Sequence, residues 1–147
     1  MIHTQELMLG NWVEYSTGLN GESRSFPMYV TAIFDDEVYL DFPGNDADPW
    51  EVRDEDLLGI PITAELLEKC GFIRSSLREY GSNCFFIGLL KSWIVNGELF
   101  LTSHCIDSEF TKINREMAVS KIYKINFIHE LQNAYFMLTK KHLEVKL

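Results

Sequence analysis

The stretch of this 147-residue chain that most invites a chemical reading is His129-Glu130-Leu131-Gln132-Asn133. It begins like the helical zinc-hydrolase motif, in which two histidines one turn apart bind the metal and the glutamate serves as base. Asn133 stands where the second histidine belongs, and an amide does not replace an imidazole ligand. The other histidines, His3, His104 and His142, lie at no spacing that restores the set. His104 and Cys105 are neighbours, but adjacent residues on a strand point to opposite faces, a poor geometry for a base and its nucleophile. Cys70, Cys84 and Cys105 are odd in number, widely spaced and free of any C-x-x-C pair. They are expected to be small apolar core residues in a reducing compartment. Asp46-x-Asp48 opens like a calcium loop, yet Trp50 takes the third ligand position and Glu51 the position that needs glycine. There is no nucleophile elbow, Walker loop or G-x-G-x-x-G. The expectation is a protein that is not an enzyme, with no catalytic residues, cofactor or metal.

The same stretch lies in the longest helical pattern, residues 126–139. At 100° per residue, Phe127, Ile128, Leu131, Ala134, Tyr135 and Leu138 form one apolar stripe, which is expected to be core. His129, Gln132, Asn133 and Phe136 share a second face by the i, i+3, i+4, i+7 rule. Two readings of that face differ in kind. It is either buried, with its polar side chains bonded to backbone groups, or it is a surface for a partner or for self-association. These four residues are the candidate interaction face.

Around this helix the chain divides into two expected parts. Residues 1–62 alternate in strand fashion at Gly10–Tyr15, Met28–Phe34, Val38–Phe42 and Trp50–Arg53, separated by turn-rich loops. So many short strands in so little chain favour a small, partly open barrel of SH3-like type. Residues 63–147 open with a short helix that has Thr63 as N-cap and Gly71 just past its end. Strands are expected over 72–80, 84–90, 92–102, 118–125 and 143–147, with Asn96-Gly97 as a hairpin turn. Residues 103–120 are polar and irregular. The expected class is α+β: an N-terminal SH3-like small β-barrel, then a small antiparallel sheet packed with two helices, one being the long C-terminal helix.

Charge is unevenly spread. Residues 1–68 hold 15 acids against 2 bases, and residues 69–147 hold 7 acids against 11 bases. Ten of the acids fall between Asp35 and Asp56, with Arg53 the single base among them. They read as a solvated, charge-protected rim, with a calcium loop and a face for a basic partner as alternatives. A net charge of −9 disfavours nucleic acid as a partner. Lys112, Arg115, Lys121, Lys124, Lys140 and Lys141, with Phe110 and Tyr123, keep it as the alternative. No apolar run has the length of a membrane span and the N-terminus lacks a leader pattern, so the expected location is the cytoplasm. The expected action is binding to a protein partner or to a second copy; a hydrolase is the most distant reading.

Three segments together carry a resemblance: Leu9-Gly-Asn-Trp-Val13, Gly59-Ile-Pro-Ile-Thr63 with Gly71-Phe72, and His129-Glu-Leu-Gln-Asn-x-Tyr-Phe-x-Leu-Thr139. The chain resembles a family of small uncharacterised proteins of Bacteroides-type bacteria and their prophages or mobile elements. The helix segment is the most specific part. Family members usually read Leu-Tyr-Phe-Ala-Leu-Thr-Gly there; Ala134, Met137 and Lys140 depart from it. The resemblance implies a shared fold and a phage or mobile-element origin, and it carries no activity.

Overall fold

The computed structural model describes residues 1–17, 24–76, 83–88, 90–102 and 122–147. These form an α+β protein with two antiparallel five-stranded sheets and few helices. The chain divides into two compact units. Unit 1 comprises Met1–Pro61 and Phe127–His142; unit 2 comprises Ile62–Asn126 and Leu143–Leu147. The first break falls beside the expected one, but the long helix belongs with the first sheet, not the second. That corrects the expected 63–147 module. Helical periodicity specifies that a stripe will be buried, and it carries no information about which sheet buries it.

In unit 1 the strands are β1 (Trp12–Thr17), β2 (Arg24–Ile33), β3 (Glu37–Asp41), β4 (Trp50–Arg53) and β5 (Leu57–Leu58). A 3-10 turn, Asp54–Asp56, joins the last two. Their order in the sheet is β4-β3-β2-β1-β5, so β4 and β5 are the two edges and the pairing leaves the sheet open. Period-two alternation puts Val13, Met28, Val30, Val38, Leu40, Val52 and Leu57 on one face, where Ile2 and Leu7 complete the core. A bulge between Val30 and Ala32 shifts the alternation of β2 by one residue, so that Ile33, opposite Val38, packs against the core.

In unit 2 the short helix α1 (Ala64–Lys69) is capped as its sequence requires: the Leu66 N–H donates to Thr63 Oγ1 at 3.1 Å. Gly71, at φ +89°, lets Phe72 N–H reach the Leu67 carbonyl at 3.0 Å and close the helix. The sheet follows in the order β10-β9-β8-β7-β6, from β6 (Ile73–Arg74), β7 (Cys84–Ile87), β8 (Leu90–Val95), β9 (Glu98–Thr102) and β10 (Ile122–Ile125). Asn96 and Gly97 both have positive φ, as the expected hairpin turn demands. The apolar run 84–90 is not one strand. It folds back at Gly88, φ +53°, so that Ile87 pairs with Leu90. A glycine inside an apolar run marked that break, and the continuity of the run hid it. Residues 143–147 form no strand, although Leu143 is buried. The expected irregular region 103–120 lies outside the described residues. Among the described residues no helix is long and apolar enough to cross a membrane.

Candidate functional site

The long helix, α2 (Ile128–Thr139), begins where the chain re-enters unit 1. Its start is fixed by backbone pairing to the segment after β5. Pro61 bridges Phe127, and the Ile128 N–H donates to the Ile60 carbonyl at 3.0 Å. The Glu130 carboxylate turns back to accept from the Phe127 N–H at 3.1 Å. Gly59 lies under the Phe127 ring, and a Cβ at that position would overlap the ring. Ile128 and Leu131 are fully buried, whereas Ala134, Tyr135 and Leu138 of the same stripe are half-buried. The helix is therefore anchored hardest through its first turn.

The second face of α2 is spent largely on the fold. Gln132 accepts from the Trp12 N–H at 2.8 Å and donates to the Gly10 carbonyl at 3.0 Å. Strand β5 pairs only with Glu14 and Tyr15, so it stops before this part of the β1 edge. The Gln132 amide supplies one acceptor and one donor there, continuing the ladder that β5 leaves unfinished. Asn133 does the same for the preceding segment: it donates to the Glu6 carbonyl at 2.8 Å and accepts from the Asn11 amide at 2.9 Å. Asn11, itself buried, uses its other amide atom to accept from the Met8 N–H at 2.8 Å. Phe136 is half-buried and stacks on His142, with ring centres 4.7 Å apart.

His129 is the odd member. It is 0% exposed, and its ring lies 5.8 Å from that of Phe127 and nearly parallel to it. Neither ring nitrogen has a hydrogen-bond partner among the described residues. Burial lowers its pKa below the ordinary imidazole value, and the charges of Glu130 and Glu6 work the other way. A ring so enclosed offers no lone pair to a solvent-borne metal or substrate. Among the described residues no group of three or more His, Cys, Asp or Glu side chains is arranged to hold a metal ion. The buried thiol of Cys70 is pushed up to about 11 and that of Cys84 is also raised, both by burial, which keeps them protonated and weakly nucleophilic. His104 and Cys105 lie outside the described residues, as do Phe110, Lys112, Arg115 and Lys121.

The second apolar feature of unit 1 was not singled out from sequence. On the core-facing side of the sheet, beyond Met28 and Leu40, four rings gather at one end: Tyr15, Phe26, Phe42 and Trp50. Tyr15 sits opposite Phe26 in the β1–β2 register, and Trp50 opposite Leu40 in β3–β4. Trp50 meets Tyr15 at 6.0 Å and Phe42 at 5.9 Å between ring centres, both edge-on. Unlike the core they adjoin, Phe26 is 44% and Trp50 41% exposed. The loop joining Phe42 to Trp50 carries Asp46 and Asp48, both exposed. Strand parity was the available signal, because each ring continues the inward-facing register of its own strand. No family model, curated protein or solved structure matches the chain.

Proposed function

We propose that this is a non-enzymatic accessory protein that acts by binding another protein, and that unit 1 carries the binding surface. The observation behind this reading is the ring cluster at the end of the first sheet. Trp50 packs edge-on against Tyr15 and Phe42 and still stays exposed, as Phe26 does beside Tyr15, and large apolar rings left in water favour a protein contact. The chain order supports an SH3-like arrangement for unit 1: a four-strand meander, a 3-10 turn, then a short β5 returning to β1. A phage or mobile-element origin belongs to the same proposal through the sequence resemblance, and a cytoplasmic location belongs to it as well.

Charge favours a protein over nucleic acid as the partner. Thirteen of the chain's 22 acids lie in residues 1–61, where Arg24 and Arg53 are the only bases. A phosphate backbone would be repelled there. The test is chromatographic: the intact protein is expected to pass through heparin and DNA columns at moderate salt. Retention that weakens steeply as salt rises would overturn the reading in favour of nucleic-acid binding.

A further inference from the structure

We propose that the ring cluster Tyr15–Phe26–Phe42–Trp50, together with Asp46 and Asp48, docks an extended arginine-bearing segment of a partner protein. This rests on the reading of unit 1 as a protein-binding module and names the chemistry of what it binds. The rings supply faces and edges at the open end of the sheet, where Phe26 and Trp50 stay exposed while Met28 and Leu40 beside them are sealed. A planar guanidinium stacks on such rings and is drawn to their electron-rich faces. Its charge needs a counter-ion, and the loop that ties Phe42 to Trp50 carries two exposed carboxylates, Asp46 and Asp48. Among the described residues neither Asp46 nor Asp48 has an ion-pair or hydrogen-bond partner for its side chain. Asp41, by contrast, is already engaged by the Phe42 N–H and the Asn45 amide, so it holds the loop and is not free for a ligand.

The same features set aside other occupants. An acidic peptide or a nucleic acid would meet like charge at Asp46 and Asp48. A second copy of this chain would bring another strongly acidic unit 1 to the same face. A purely apolar segment would gain from the rings and leave the two carboxylates without a role. An arginine-bearing segment satisfies both halves of the surface.

The experiment follows the indole N–H signal of Trp50, assigned with Trp50→Phe, while intact protein is titrated with a short peptide of alternating Arg and Ser. A Glu-Ser peptide and an oligothymidine are run beside it. The expected result is a saturable shift of the Trp50 signal with the arginine peptide alone. Affinity should fall about tenfold or more in Trp50→Leu, which removes the ring and keeps every charge. It should fall severalfold in Asp46→Asn/Asp48→Asn, whose exposed loop sites leave the fold intact and which keeps the rings. Equal affinity in Trp50→Leu, or shifts that bypass Trp50, would reduce the interaction to general charge attraction and overturn the proposal. Equal binding of the Glu-Ser peptide or of oligothymidine would overturn it too. Silence of Trp50 toward all three probes, in a protein that still ignores heparin and DNA, would remove the arginine segment and leave the broader protein-binding reading standing.

Discussion

At the scale of single residues, the polar side chains of α2 divide by whether they have partners. Gln132 closes two backbone groups at the unfinished β1 edge, so Gln132→Leu leaves a donor and an acceptor without partners. The expected cost is about 1–3 kcal/mol, read from denaturant midpoints; a neutral result would mean that water serves those groups equally well. His129 is the opposite case, since replacing an unpartnered buried ring by an apolar side chain loses no hydrogen bond. His129→Leu is expected to change stability at neutral pH by no more than about 1 kcal/mol. Its pH dependence has a definite sign. The folded-state pKa is depressed by burial, so the neutral ring favours folding. Stability is fully present above the unfolded value of about 6.5 and is lost as pH falls from there through the lower folded value. Urea unfolding between neutral and mildly acidic pH should therefore show a decline in the native protein that is smaller in His129→Leu. Parallel declines would place the titrating group elsewhere. Lys140 offers a third residue-scale test. The helix ends on it in the left-handed region, φ 60°, with its N–H on the Phe136 carbonyl at 2.8 Å. The fold thus keeps a glycine conformation without the glycine, and Lys140→Gly should raise stability by about 0.5–1 kcal/mol in the same assay.

At the scale of elements, Gly10–Trp12 and Gly59–Pro61 meet at the seating of α2. Gly10–Trp12 contacts Gln132 and Asn133, and Gly59–Pro61 contacts Phe127 and Ile128. Together they form a structural joint. Gly59 is its tightest point, because the Phe127 ring occupies the space a side chain would need. Gly59→Ala is expected to cost about 1–3 kcal/mol through overpacking, measured by thermal or denaturant unfolding. An unchanged midpoint would mean that the ring swings aside freely. Four of the five strands of the first sheet, both helices and the Asn96-Gly97 hairpin were legible from alternation, caps and turn residues; β5, only two residues long, was not. Residues 143–147 were not, since their alternation is real but no neighbouring strand accepts it. A periodic pattern makes an edge strand available without supplying the ladder that would hold it.

At the scale of the whole molecule, unit 1 is built from two segments far apart in sequence, Met1–Pro61 and Phe127–His142. Residues 127–142 should share the stability of the first sheet. Native-state amide hydrogen exchange is expected to give the buried first turns of α2 the same opening free energy as β1 and β2. Protection that instead tracked β8 and β9 would contradict the division into units. The charge asymmetry also follows this division. Unit 1 holds 14 acids and 4 bases and unit 2 holds 8 acids and 9 bases, with Lys140 and Lys141 now counted on the acidic side. Within unit 1 the acids repel one another, and Glu37 is held above the ordinary carboxylate range chiefly by the charge of Glu51 across the β3–β4 pair.

The sequence by itself determined the local elements, the α+β class, the acidic first half and the two faces of the long helix. These follow from period, capping and composition, which act between residues a few positions apart. Only the tertiary structure decided that the helix seats on the first sheet, that Gln132 and Asn133 complete the β1 edge, and that rings from four segments gather at one end of the first sheet. Each of those depends on register between strands distant in sequence. A one-dimensional pattern states which side of a strand is apolar, and pairing alone states whose apolar side it meets.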